Sequence, residues 1–227
     1  DFSSWGVTPD LRLKPEVSAP GGSIYSAVLD GKYDHLSGTS MATPQMAGVS
    51  AVVLQRVQSD PLFASMSARE KVDVVQNLIM GTARPLADAA QTTGAFYSPR
   101  KQGSGLVDAV AATTSSVYPT VVGAAEQSRP KADLGDGTTG WHFAVTLHNL
   151  SDTPATYELS SQALSENVDG GYFTGSSTDW RGRGVEIAYS GAVSATAEGA
   201  TVTVPANGEA TIGVDVKPGS EFAAFAT

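Results

Sequence analysis

Apolar and polar positions fall into two regimes along the chain, and the change of regime comes near residue 114. Before it, apolar residues recur with helical spacing. In the stretch from Met41 to about Val57 the apolar residues Met41, Ala42, Met46, Ala47, Val49, Ala51, Val52, Val53 and Leu54 cover every face of a helix. A helix that is apolar all round belongs in the middle of a protein. The short strands that precede it are too few to surround it, so its burial calls for sheet and helices that these residues do not supply. A second helix is announced by the capping box Ser67-Ala68-Arg69-Glu70, with Val72, Val75, Leu78 and Ile79 on one stripe and Gly81 as its stop. Residues 82–102 read as loop, and Leu106 to Ala112 as a short final helix. Upstream, residues 1–37 read as loops and short strands punctuated by Pro9, Pro15, Pro20 and Gly21-Gly22, with strand-like Ile24 to Leu29 between turns.

From about Thr113 the period becomes two. Trp141, Phe143, Val145 and Leu147 alternate with His142, Ala144, Thr146 and His148. The same alternation returns at Tyr157/Leu159, Val185/Ile187/Tyr189, Val202/Val204 and Ile212/Val214/Val216. Turn clusters at Asp133-Leu134-Gly135-Asp136-Gly137, Asn167-Val168-Asp169-Gly170-Gly171 and Pro205-Ala206-Asn207-Gly208 separate these runs. Short alternating strands without helical period predict an antiparallel β-sandwich.

Composition narrows the function classes. At 227 residues the chain holds one large domain or two of ordinary size, and 41% hydrophobic residues suffice for a core. A net charge of −9 argues against a nucleic-acid surface, which needs clustered Lys and Arg. The chain has no cysteine, which excludes a disulfide framework, a zinc-thiolate site and a cysteine nucleophile. There is no apolar run long enough for a transmembrane helix, and the first residues lack a signal pattern. Opening on Asp1-Phe2 rather than on Met, the sequence reads as an internal or processed piece of something longer.

The candidate chemistry sits at Gly38-Thr39-Ser40-Met41-Ala42-Thr43-Pro44. A Gly-Thr turn leads into a helix, and Ser40 stands where the helix begins. The first N–H groups of a helix have no internal partner and the macrodipole adds partial positive charge there, so an oxyanion beside Ser40 would be stabilised. Ser40 is a candidate nucleophile on this ground; a helix cap made by Ser40 or Thr39 is the plainer alternative.

The heptapeptide resembles the serine motif of the subtilisin-like serine proteases, the subtilases, with Ser40 on the nucleophile. Phe2-Ser3-Ser4-Trp5-Gly6 and the run from Lys14 to Gly22 look like the segments that precede that serine. Gly103-Ser104-Gly105-Leu106-Val107-Asp108-Ala109 resembles the stretch that closes the catalytic domain. The later residues, on their order and on Leu147-His148-Asn149-Leu150, resemble the fibronectin-III-like module of the cell-envelope, lactocepin and C5a-peptidase-like branch. The resemblance implies an α/β segment, the C-terminal part of a subtilisin-like three-layer catalytic domain, over 1–113. An all-β fibronectin-III-like sandwich over 114–227 follows.

It also implies a Ser/His/Asp triad and an oxyanion-binding Asn, with Asp, His and Asn all N-terminal to the serine. None is visible here. No Asn occurs before Ser40, and the three histidines are His35, His142 and His148. His35 is five residues from Ser40 with Asp34 adjacent, but neighbouring side chains in extended backbone point to opposite sides, so Asp34 is badly placed to hold the ring. His35 is expected as a loop residue at the cleft rim. His142 and His148 lie about 20 Å apart along one strand, cannot share a metal, and are expected to be solvated. Thr39 would either turn its hydroxyl toward the oxyanion, beside the Ser40 N–H, or only shape the turn. Met41 is expected to pack behind Ser40. No cofactor is expected; Asp133 and Asp136 are turn residues whose alternative use is a structural calcium ion.

The resulting expectation is the serine-bearing piece of a secreted or cell-wall-associated bacterial endopeptidase. Its partners are a protein or peptide substrate and the N-terminal portion of the same protease, with no nucleic acid. A non-catalytic binding module with a passive protease remnant is the alternative. An α/β-hydrolase is disfavoured because Ser40 is followed by Met41-Ala42 rather than by the x-Gly of a nucleophile elbow.

Overall fold

The computed structural model describes residues 2–10, 12–122, 129–135, 139–196 and 199–222. Strands β1 (Ile24–Ala27) and β2 (Tyr33–Leu36) form an antiparallel hairpin around a 3₁₀ turn at Leu29–Gly31. The hairpin leads through Gly38 into α1 (Thr39–Ser59), two residues longer at each end than the apolar pattern predicted. Helix α2 (Ala68–Gly81) follows, then the short α3 (Pro99–Gln102) and α4 (Ala109–Thr114).

The α2 capping box forms as expected: the Glu70 N–H donates to the Ser67 hydroxyl and the Ser67 N–H donates to the Glu70 carboxylate. The expected stripe is shifted, however. Val74 is buried with Val75, Leu78 and Ile79, whereas Val72 is exposed. Gly81 does not act as a left-handed stop. It is the last helical residue, and a Cβ there would lie 2.4 Å from Cδ of Pro119, so the position is small because β3 (Val117–Val122) passes over it.

The final helix also begins later than predicted. Leu106 is in extended backbone bridging Ser18 and Arg84, and α4 starts after Asp108, whose carboxylate accepts from the Ala111 N–H at 2.9 Å. An N-cap aspartate outweighs apolar spacing in setting where this helix begins.

One core is built from Val53 and Val57 of α1, Phe63, Val74, Val75, Leu78 and Ile79 of α2, and Ala112 of α4. Tyr118 of β3 and Leu150 pack against it, so the strand-rich part shares this core. Of α1, only Val53 and Val57 are buried. Val52 is 54% exposed, and an open trough runs along α1 and α2 between Ala47, Ala51, Leu54, Val72, Val75 and Ile79.

The strand-rich part is a two-layer sandwich. Strands β3, β4 (Trp141–Asn149), β11 (Gly208–Pro218) and β8 (Val185–Gly191) form a four-stranded antiparallel sheet in the order β3-β4-β11-β8. Opposite it, β5 (Ala155–Leu159), β10 (Gly199–Val204) and β9 (Ser194–Thr196) form a three-stranded sheet in the order β5-β10-β9. Val202 and Val204 meet Ala210, Ile212 and Val214 between the layers. Each alternating run in the sequence became one of these strands, because alternation puts one face on the core.

A further hairpin, β6 (Leu164–Asp169) and β7 (Tyr172–Asp179), forms its own two-stranded sheet and lies against Trp5, Asp88, Arg100 and Lys101. Its sequence shows no clean alternation, and only its turn, at Gly170-Gly171, was legible. Buried Asn149, within the Leu147–Leu150 motif, donates to the carbonyls of Thr153 and Pro205 at 2.8 and 3.1 Å and accepts from the Ser151 N–H at 3.0 Å.

Candidate active site

The β1–β2 hairpin and α1 together present Ser40. Gly38 caps the helix with φ of 155°, a value that side chains other than glycine rarely adopt. Its carbonyl accepts from the N–H groups of both Met41 (3.0 Å) and Ala42 (3.3 Å). Thr39 and Ser40 are thus the first two helical residues, and their N–H groups lie beyond the reach of intrahelical acceptors. Both side chains are exposed, and among the described residues neither hydroxyl has a hydrogen-bond partner. No acidic side chain occupies the first turn of α1, and Arg56 is in its last turn. The electrostatic setting at Ser40 is therefore that of an uncompensated helix N-terminus.

Neither hydroxyl acts as an N-cap, since the cap residue is Gly38 and it makes no side-chain bond. The Thr39 carbonyl accepts from the Thr43 hydroxyl at 3.0 Å. Met41 is half-buried, with its sulfur 3.8 Å from where a Cβ on Gly38 would stand.

His35 belongs to strand β2, not to a loop. Its Nδ1 lies 3.1 Å from the Ser23 carbonyl oxygen and 3.2 Å from the Ser23 hydroxyl, and its ring centroid lies 5.0 Å from that of Tyr25, with the planes tilted by 41°. Asp34 accepts from the backbone N–H of His35 at 2.7 Å and does not orient the ring. Among the described residues, nothing joins His35 to Ser40.

His142 and His148 share one face of β4, as their spacing requires. His142 pairs with Asp215 at 2.8 Å and is exposed. His148 departs from the expectation of a solvated residue. Its Nδ1 is 2.8 Å from Glu209, its Nε2 is 2.8 Å from the Thr120 hydroxyl, and its ring lies flat on Tyr118 at 4.8 Å. It ties β3, β4 and β11 together. Burial, followed by the charges of Glu209 and Glu70, pushes the Tyr118 hydroxyl's pKa up.

Asp133 accepts from the Leu13 N–H at 2.9 Å, while Asp136 lies outside the described residues. Among the described residues no group of three or more acidic or histidine side chains could hold a metal, and no helix is long and apolar enough to cross a membrane.

Sequence spacing gave no sign of the brace behind the Ser40 turn. The Gly38 N–H donates to the Gly21 carbonyl at 2.8 Å, and the Gln45 side-chain amide donates to the Pro20 carbonyl at 2.9 Å. A Cβ on Gly21 would come within 2.8 Å of the Gly38 oxygen. These contacts join residues 17 to 25 positions apart, and only the fold brings them together.

A helix beginning at a Gly-Thr-Ser turn, braced by the Lys14–Gly22 segment and closed by Gly103–Val107, meets the family described as "Subtilase family" over residues 1–105. Residues 1–105 belong to the subtilase family. A second family, described as "Fn3-like domain", matches residues 133–226. The fold is a subtilase segment followed by an Fn3-like domain. The C5a peptidase of Streptococcus pyogenes is 34% identical over 172 residues, 76% of this chain and 14% of that protein. The PI-type and PII-type proteinases of Lactococcus lactis subsp. cremoris are 33% identical over 174 residues, 74% of this chain and 9% of each of those proteins. The chain thus spans about a seventh or less of the length of these curated relatives, and it falls with this cell-envelope branch of the subtilases.

Proposed function

We propose that this chain contributes the nucleophile of a secreted or cell-wall-associated bacterial serine endopeptidase, and that the nucleophile is Ser40. Ser40 Oγ attacks a peptide carbonyl while its proton passes to a histidine; the C–N bond then breaks, the amine leaves with that proton, and water releases the acyl group. The oxyanion takes the Ser40 N–H, with the Thr39 hydroxyl as a further donor and an Asn from elsewhere. The histidine, its orienting Asp and that Asn come from the N-terminal portion of the same protease. The boundary between the subtilase segment and the sandwich is placed near residue 114.

The observation that carries this reading is an exposed serine hydroxyl at a helix N-terminus with no base beside it among the described residues. Exposed apolar surface supports it: Val52, the α1–α2 trough, Tyr25 and Leu29, the last at 88% exposure, are open apolar groups of the kind that a further polypeptide segment covers.

Fluorophosphonate labelling tests it. In the natural polypeptide that contains this chain, the label attaches to Ser40 and Ser40→Ala abolishes peptide hydrolysis. The 227 residues alone do neither. Casein hydrolysis by these residues alone, or activity surviving Ser40→Ala, overturns the proposal.

A further inference from the structure

Pro44 lies inside α1, five residues past its start. Proline has no N–H, so the Ser40 carbonyl lacks the donor that position 44 gives in an uninterrupted helix. The turn that carries the proposed nucleophile is therefore held by fewer helical bonds than its neighbours. It must be fixed from outside or tolerate motion. Outside ties are present, and they converge on one segment.

Pro20 and Gly21 run alongside the turn. Gly21 receives the Gly38 N–H through its carbonyl, and its lack of a side chain permits the approach, since a Cβ would also meet Cβ of Ala42 at 3.3 Å. Pro20 receives the side-chain amide of half-buried Gln45, one residue beyond Pro44. The segment is itself anchored two residues back: the Ser18 N–H donates to the Gly105 carbonyl and the Val107 N–H donates to the Ser18 carbonyl, both at 2.8 Å. A continuous set of bonds thus runs from Gly105–Val107 through Ser18, Pro20 and Gly21 to both ends of the Ser40 turn, Gly38 on one side and Gln45 on the other.

We propose that Gln45 is a positioning residue for Ser40, an inference that rests on the assignment of Ser40 as the nucleophile. The Gln45 side chain donates to Pro20 and makes no hydrogen bond to Ser40, so it acts on the nucleophile only through the turn. It replaces, from the side chain, the restraint that Pro44 removes from the backbone. An angstrom of displacement at a nucleophile costs up to about a hundredfold in rate, so a single lost tie at this turn is expected to show in the acylation step.

The test uses the natural polypeptide that contains this chain, with a peptide substrate and a fluorophosphonate. Gln45→Met keeps the length and shape of the side chain but donates nothing to Pro20. It is expected to lower kcat and the fluorophosphonate inactivation rate about tenfold, with KM and Tm unchanged. Gln45→Lys, which can donate to the same carbonyl, restores both rates to within about twofold. Gln45→Glu, which offers only acceptors at neutral pH, behaves as Gln45→Met or worse. The proposal is overturned if Gln45→Met retains its rates, if Gln45→Lys fails to restore them, or if the loss appears in KM or Tm instead. Ser40→Ala separates the two claims. If it leaves activity intact, the assignment of the nucleophile falls; if it abolishes activity while Gln45→Met is neutral, only the positioning role falls.

Discussion

The Arg100 guanidinium meets the Glu166 carboxylate at 2.7 Å, joining the α3 turn of the subtilase segment to strand β6 of the Fn3-like part. Arg100 Nε also donates to the Gly6 carbonyl at 2.7 Å, and the Phe173 ring lies 5.1 Å from the guanidinium carbon. Nearby, the Ser177 N–H donates to Asp88 at 2.9 Å and the Phe96 N–H to Gln162 at 2.8 Å. The β6–β7 hairpin is therefore a strap between the two parts.

The Glu166 side chain is only 6% exposed, whereas Arg100 is 35% exposed, so removing one partner or the other has unequal effects. Arg100→Met strands a buried carboxylate and is expected to cost about 3 kcal/mol. Glu166→Gln leaves a cation that still reaches water and Gly6, and is expected to cost about 1 kcal/mol. Urea unfolding of the two variants reads the difference; equal effects would contradict the account.

Acid should weaken the contact at Glu16. Burial alone pushes the Glu16 carboxyl up, but the hydrogen bond and charge of Lys14, then those of Lys131, outweigh it and hold its pKa below the ordinary glutamate range. Lys131, 6% exposed, donates to Glu16 at 3.3 Å and to the Leu13 carbonyl at 3.0 Å, which again ties the two parts. Because the folded pKa is depressed, the stabilisation is fully present above the unfolded value of about 4.3 and is lost as pH falls through the lower folded value. Glu16→Gln is expected to flatten the fall of stability with pH in that acid window, as followed by thermal melts from pH 6 to 3.

Gly81→Ala sets two effects against each other. Alanine favours the helix by about 1 kcal/mol over glycine. Its Cβ, however, would lie 2.4 and 2.6 Å from ring carbons of Pro119, which cannot swing aside. Overpacking of this kind costs about 1 to 3 kcal/mol beyond any gain, so net destabilisation is expected in chemical unfolding.

Asn149 is 2% exposed, and its amide organises the turn at Ser151–Thr153 and the Pro205 corner. Asn149→Ala is expected to cost about 2 to 3 kcal/mol. Asn149→Asp should cost more at neutral pH, because a carboxylate would face the Thr153 and Pro205 carbonyls. The ranking is read from melting temperatures, and a milder Asp variant would show that the donated bonds are unimportant.

Much of the fold was legible. The Ser67/Glu70 box gave α2 its start, and the alternating runs gave β4, β5, β8, β10 and β11. What escaped was set by neighbours distant in sequence. Gly81 reads as a stop until Pro119 is seen beside it. Val72 and Val74 are equally apolar, and only the packing of α2 on α1 and β3 chose between them. The β6–β7 hairpin has little alternation because it is a strap held by Arg100, Lys101 and Asp88 rather than a layer with a core face. His148 looks like any polar-face strand residue until Tyr118, Thr120 and Glu209 surround it.

By itself the sequence determined the identity of the two parts and the place of Ser40 at a helix start. Both rest on local chemistry: turn residues, side-chain period and an ordered set of short motifs. Tertiary structure alone decided how the Ser40 turn is held, through Gly21, Pro20 and Gln45, how the Fn3-like part is strapped to the subtilase segment through Arg100–Glu166, and how Glu16 meets Lys131. Those contacts join residues 17 to more than 100 positions apart, where residue type fixes what a side chain can donate or accept and only the path of the chain fixes which partner it meets.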